Sequence, residues 1–197
     1  MPTQAPTLRK LEAKSAAEIC QRFEPGPAAA KLLGSHAEPE TFLAELRAQG
    51  LFDDAYAFLA HGLPRREAIL WCLSCVREAN PKPSAHEQAA IEAVEQWLAD
   101  PTDPRRRAAM QAAEAATYGT PAGCCALAVF FSEGSIAPPD CPNVPPPEGL
   151  AARSIASTVT LCGLSVPPEQ ANEAADRFVA RGMEIATAPA PWERKPR

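Results

Sequence analysis

The stretch TPAGCCALAVFFSEGSIAPPDCPNVPPP, Thr120–Pro147, decides what kind of protein this is. It opens with adjacent cysteines in an apolar run, passes through a polar turn, and ends in a proline-dense loop that holds a third cysteine. Three readings compete: a metal or redox site, a membrane segment, and a buried helix that carries thiols. The membrane reading fails on length, because the run Cys124–Phe131 is far shorter than the roughly 18 residues that cross a bilayer. The metal reading lacks ligands. Neighbours on a helix point about 100° apart, so Cys124 and Cys125 cannot serve one face, and adding Cys141 still leaves a tetrahedral site short of its fourth ligand. Helix grammar accounts for the rest. Thr120 stands as N-cap and Pro121 in the first turn, with Cys124, Leu127, Ala128 and Phe131 on one side and Cys125, Val129 and Phe130 flanking. The stretch reads as a buried helix to about Ser132, its thiols packed as small hydrophobes. The prolines of Pro138–Pro147 then keep the chain out of helix.

The same grammar extends in both directions. Ser15 with Glu18, and Ser84 with Glu87, have capping-box spacing. Phe42, Leu43 and Leu46 form one stripe, and Leu51, Ala55, Phe58 and Leu59 another. After Pro64, the run PRREAILWCLSCVREAN is apolar on most sides, as expected of a helix at the centre of its bundle. Between Arg105 and Tyr118, Ala109, Ala112, Ala113 and Ala116 make a strip of small side chains that admits a close neighbour, and Gly119 is expected to end that helix. Composition agrees: the 46% hydrophobic share is carried largely by alanine, and aromatics are only 6%. Alanine favours helix, whereas strands draw on β-branched and aromatic residues. The chain is therefore expected to be all-α, one compact domain of about eight or nine mostly antiparallel helices. It would form either a bundle or a short helical-repeat-like stack. The expected division is a flexible lead over 1–12, a helical domain over 13–186 with a Pro-rich loop at 136–148, and a flexible tail over 187–197 that Trp192 could tether.

With 197 residues and a formal net charge of −5, the chain lacks the clustered basic excess that nucleic-acid backbones require. Its start, MPTQAPTLRKLEAK, has no apolar signal-peptide core. A cytoplasmic location is expected, with neither membrane nor nucleic acid as partner. Seven cysteines in no framework spacing are expected to be free thiols.

Few residues look like chemistry. Cys72 and Cys75 form a C-x-x-C, but mid-helix and without a second pair, and His36, His61 and His86 are scattered. Core packing outweighs metal or redox use. Asp53 and Asp54 suit an early helical turn better than acid–base work. No nucleophile elbow, P-loop, zincin or dinucleotide fingerprint occurs, so neither catalysis nor a cofactor is expected. The arginines are harder to dismiss. Arg105, Arg106 and Arg107, and likewise Arg65 and Arg66, fall in first helical turns, where cations oppose the helix dipole. A solvated face offset by Asp100, Asp103 and Glu67 is the plainer reading; an anionic partner is the sharper one.

At LPRREAILWCLSCVRE, Leu63–Glu78, and TPAGCCALAVFFSEGSIAPPDCPNVPPPEGLAAR, Thr120–Arg153, the chain resembles a family of bacterial all-helical domains of unknown function. The shared pattern is an L-P-R-R-E-A start, an aromatic–cysteine helix, a T-P-A-G helix, and an S-x-A-P…V-P-P loop before a final helix. The resemblance runs from about Pro39 to Cys162 and brings no catalytic residues with it. Its members lie near type VI secretion and effector-delivery genes, which implies an adaptor, chaperone or accessory protein. The functional expectation is thus a non-enzymatic protein–protein interaction module. Its partner would be another protein, met through Arg65, Arg66, Arg105 and Arg106 and through Pro138, Pro139, Asp140 and Asn143 of the loop. The alternatives are an immunity protein that neutralises a toxin and a cysteine-based metal-binding or redox protein.

Overall fold

In the computed structural model the chain is described over residues 8–193, and these contain ten α-helices and no strand. Two short helices, α1 (Ala16–Cys20) and α2 (Pro27–Leu33), precede α3 (Pro39–Ala48) and α4 (Phe52–Gly62). Then come α5 (Arg65–Ala79), α6 (Ala85–Ala99), α7 (Asp103–Ala116) and α8 (Pro121–Phe130). After the proline-rich loop the chain resumes with α9 (Leu150–Leu164) and α10 (Ala171–Thr187), flanked by 3-10 turns at Pro168–Gln170 and Pro191–Glu193.

The centre is α5, as its all-round apolar surface requires. It packs against α9, α8, α10, α6 and α4, burying Ile69, Trp71, Cys72, Leu73, Cys75 and Val76. The helices close round it rather than stack in line, because α10 returns across α4 and α5. Trp71 fixes that return by donating its indole N–H to the Phe178 carbonyl at 2.8 Å. Gly182 permits it: a methyl there would lie 2.6 Å from Leu59 Cδ1 and 3.1 Å from the Trp71 indole. On the other side α7 lies between α6 and α8, with Ala109, Ala113 and Ala116 buried at the approach and Ala112 half-buried.

The Ser84–Glu87 capping box forms in full. Thr120 caps α8 by accepting the Gly123 amide at 3.1 Å, with Pro121 in the first turn. α8 ends at Phe130, short of Ser132, and the end of α7 differs for a reason that lies across space. α7 ends at Ala116, three residues before Gly119, on Thr117 at φ +66° and ψ 149°, a region that costs a β-branched residue about 1–3 kcal/mol. The cause is how close α8 comes: a Cβ on Gly123 would stand 2.1 Å from the Thr117 carbonyl oxygen.

The terminal segments need correction. The lead expected over 1–12 is bonded into the fold from Leu8 onward. Leu8 is buried, Lys10 N–H donates to the Ala186 carbonyl at 3.1 Å, and Glu12 N–H donates to the Gly62 carbonyl at 2.8 Å; residues 1–7 lie outside the described part. At the other end Ala190 is buried, Arg66 lies 4.0 Å over the Trp192 ring, and Glu193 meets Lys10 at 3.1 Å. Trp192 is thus the expected tether, with Ala190 and Glu193 beside it; residues 194–197 fall outside the description. Among the described residues no single helix is long and apolar enough to cross a membrane.

Candidate functional site

The first turn of α5 places three consecutive side chains on three different segments. Arg65 Nη1 donates to the Ser132 carbonyl at 2.5 Å, past the end of α8. Arg66 donates to the Leu98 and Ala99 carbonyls at the end of α6 and lies over Trp192. Glu67, 6% exposed, accepts from Lys10 Nζ at 3.4 Å.

The arginines of α7 serve another purpose. Arg106 has no exposed surface, which corrects its expected place on the partner-facing surface. Its guanidinium donates to the Phe130 carbonyl at 2.6 Å, to the Ser135 carbonyl at 2.8 Å and to Asp103 at 2.5 and 3.0 Å, and it lies 4.8 Å over the Phe130 ring. Arg107 adds the Ala137 carbonyl at 3.0 Å and Asp103 at 2.8 Å. Arg105 reaches back to the end of α6, donating to the Gln96 carbonyl at 2.6 Å and pairing with Asp100 at 3.3 Å. The two guanidiniums hold the Asp103 carboxyl below the usual carboxylate range, chiefly by hydrogen bonding. This cluster anchors the base of the proline-rich loop. Gly134, at φ +69°, turns the chain so tightly over Arg106 that a methyl would lie 3.1 Å from its Nε. The loop then closes on itself, with Ile136 N–H donating to the Val144 carbonyl at 2.8 Å and Ser135 Oγ accepting from the amides of Ala137 and Val144.

Anchored there, the far half of the loop walls a groove of about 630 Å³. Pro145, Pro146, Pro147 and Gly149 form one side, Arg22, His61 and Arg65 another, with Ala151, Ala152 and Ile155 of α9 also lining it. His61 is 7% exposed and stacks on Phe23 with ring centres 5.4 Å apart. Burial, then the nearby Arg153 and Arg22 charges, push its pKa down, so a neutral imidazole faces the groove. Arg22 braces this wall by donating to the His61 and Glu12 carbonyls, both at 2.8 Å. Gly149 sits at φ +71°, where a Cβ would lie 3.2 Å from His61 Cε1 and 3.0 Å from Arg153 Nη1. Only a residue without a side chain brings the loop this near the imidazole.

Of the candidate arginines only Arg65 lines the groove; Arg106 holds the base of the loop from within, and Arg66 and Arg105 bond to the end of α6. Pro138, Pro139, Asp140 and Asn143 are exposed at the opposite end of the loop and do not line the groove. Sequence reasoning missed Arg22, His61 and Gly149. Glycine directly after PPPE was a usable signal for a left-handed turn; the meeting of Arg22 and His61 depends on the fold alone. Arg22 and Arg65 are held by carbonyls, the groove's serine, Ser132, is buried and donates to the Val129 carbonyl at 2.7 Å, and Glu12, Glu133 and Glu148 also line the groove. Such a surface is suited to holding an extended chain against prolines and arginines.

The acidic pair makes tertiary bonds: Asp54 accepts the Gly26 amide at 2.7 Å and Asp53 accepts from Thr160 Oγ1 at 2.8 Å. All seven cysteines are free; five are buried, Cys124 is half-buried and Cys141 is exposed. Cys72 lies beside Cys125 and Cys75 beside Cys162; hydrogen bonding with Cys125 and then burial push the Cys72 thiol up, and burial pushes Cys75 and Cys162 up, away from the reactive thiolate. Among the described residues no group of three or more His, Cys, Asp or Glu side chains is placed to hold a metal ion.

Fold and groove together define an all-helical protein built round one central helix, with a proline-walled cleft beside the start of that helix. The chain belongs to DUF6931, a family of unknown function, whose model matches residues 42–186. The match thus runs from α3 through α10, beyond the Cys162 limit of the motif resemblance. No curated protein and no solved structure matches the chain.

Proposed function

We propose that this protein is a non-enzymatic interaction module that takes an extended segment of another protein into the groove between Pro145–Gly149 and Arg22, His61 and Arg65. The observation that carries the reading is the assembly of that groove. A buried arginine, two left-handed glycines and a neutral histidine hold a proline wall open beside Arg65. Prolines present a rigid surface that loses little entropy on binding. By its motif resemblance the module is a cytoplasmic adaptor, chaperone or accessory protein of a bacterial type VI secretion or effector-delivery system. The net charge of −5 favours a second reading, an immunity protein that complements a basic toxin surface.

The test is capture of partners by the tagged chain, compared with Ala151→Trp, which fills the groove from α9. A secretion component or effector retained by the parent and lost from the variant supports the adaptor reading. Protection of cells against a co-expressed toxin supports the immunity reading. Capture undiminished by Ala151→Trp removes the groove from the account.

A further inference from the structure

We propose that the groove selects a partner segment that presents an arginine, whose guanidinium is received by Glu12, Glu148 and His61. This inference rests on the groove reading and names the side chain that the groove would take.

The ground is an excess of unused acceptors. The groove's own arginines are committed: Arg22 donates from both terminal nitrogens to the His61 and Glu12 carbonyls, and Arg65 donates to the Ser132 carbonyl. Its acids are not. Glu12, Glu133 and Glu148 line the groove and are exposed, and their carboxylates have neither a hydrogen bond nor an ion pair among the described residues. Elsewhere the fold engages such groups, as with Asp53, Asp54, Glu67, Asp103 and Asp176. Three acids against two arginines leave the lining with one net negative charge; Arg153 lies against Gly149 but outside that lining. Glu133 also lines a smaller cavity of about 200 Å³ with Arg65 and Arg66, whose charges outnumber its own there. Glu12 and Glu148 are therefore the acids placed to take a cation. The proline wall adds acceptors and no amide donors. The Pro147 carbonyl accepts from the Leu150 amide at 3.1 Å, whereas those of Pro145 and Pro146 accept nothing among the described residues.

His61 is the independent sign of a guest. It is 7% exposed, and its ring nitrogens have no hydrogen-bond partner among the described residues. Unlike the Tyr56 hydroxyl and the Trp97 indole N–H, which are sealed without partners, these nitrogens keep accessible surface, and the open space beside the ring is the groove that it lines. Polar groups so deeply placed are seldom left unbonded. A neutral imidazole offers one acceptor and one donor, and a guanidinium carries five donors in a planar fork with no acceptor. One edge of the fork can meet a carboxylate while another meets the imidazole or a proline carbonyl. An ammonium is a compact, strongly hydrated charge that spans fewer of these acceptors at once.

Titration of the full chain with the pentapeptide acetyl-Ala-Ala-Arg-Ala-Ala-amide at low ionic strength tests the site, read by two-dimensional ¹H–¹⁵N NMR. The controls replace its arginine with lysine or with citrulline, the neutral isostere. Saturable shifts at millimolar arginine peptide are expected on the Gly149 and Leu150 amides and on the His61 ring, with the His36 and His86 rings unmoved. The citrulline and lysine peptides should both bind more weakly. Glu148→Gln should weaken the arginine peptide about two- to fivefold, as loss of an exposed pair does, and Glu12→Gln with Glu148→Gln about tenfold, while Glu169→Gln, outside the groove, leaves it unchanged. Absence of saturation, equal affinity for the citrulline or the lysine peptide, or unchanged affinity in the double variant overturns the proposal. If the peptide fails while Ala151→Trp still abolishes partner capture, the arginine site falls and the groove stands. If the peptide binds while capture survives Ala151→Trp, the site stands and its link to a partner segment falls.

Discussion

Arg106→Met isolates the anchor of the proline-rich loop. Methionine keeps an unbranched apolar stem in the space of a side chain with no exposed surface but removes every donor. The Phe130 carbonyl loses a buried charge-assisted bond of 2.6 Å, and the half-buried Ser135 carbonyl loses one of 2.8 Å. Asp103, with a side chain 54% exposed and still paired with Arg107, contributes little to the loss. A buried acceptor left without its donor costs about 1–3 kcal/mol, and a partly wet one less, so the variant should lose about 2–4 kcal/mol. At 2–4 °C per kcal/mol for a chain of this size, the midpoint should fall by about 5–15 °C. Arg105→Met is the control. Its side chain is 39% exposed and its ion-pair partner Asp100 is 59% exposed, so the change should stay within about 0.5 kcal/mol. Denaturant unfolding gives both energies. Hydrogen exchange at Ile136, Ala137 and Val144, whose amides close the loop, should accelerate only in Arg106→Met. Equal losses in the two variants, or unchanged exchange at those amides, would refute the reasoning.

The His61 pKa is lowered in the folded state, so on acidification the unfolded chain takes the proton first. Stability should therefore be fully present above the ordinary histidine value near 6.5 and be lost as pH falls from there toward the folded value. Across that window the parent should lose unfolding free energy that His61→Gln does not, so the difference between the two should change with pH below about 6.5 and be constant above about pH 7.5. Gly182→Ala should cost about 1–3 kcal/mol by overpacking Leu59 and Trp71, and Gly123→Ala should cost more, because the obstacle at 2.1 Å is backbone. Thermal unfolding ranks the two. Native labelling with a thiol reagent should modify Cys141 fast and Cys124 slowly, leaving Cys72, Cys75, Cys125 and Cys162 unreacted until denaturant is added. Rapid native labelling of any of those four would contradict their packing role.

Much of the helical frame was legible because each helix carries its own start, stop and stripe. Thr120-Pro121, the Ser84–Glu87 box and the all-round apolar face of α5 are local signals, and the structure follows them. The α7 boundary was illegible because its cause lies across space: Gly123 lets α8 press on Thr117, and the helix stops short of its own glycine. The terminal segments misled for the same reason. Their prolines and charges suggest mobility, yet Leu8, Ala190 and Trp192 find apolar or aromatic ground on distant helices. The groove was half legible. Arg65 and the prolines stood out by type, whereas Arg22 and His61 look ordinary until α1, α4 and α9 come together.

The two arginine runs show where reading by type ends. Both occupy first helical turns, both oppose the dipole, and both have an acidic residue within two or three positions. In α7 the acid precedes the arginines by three and four residues, so Asp103 reaches back across one helical turn to Arg106 and Arg107, and their charge is spent inside the fold. In α5 the acid follows. Glu67 projects elsewhere and is claimed by Lys10 from the amino-terminal segment, so Arg65 and Arg66 keep their charge for carbonyls and for the cavities beside them. A shift of acid position by a few residues thus separates a loop anchor from a surface with charge to spare.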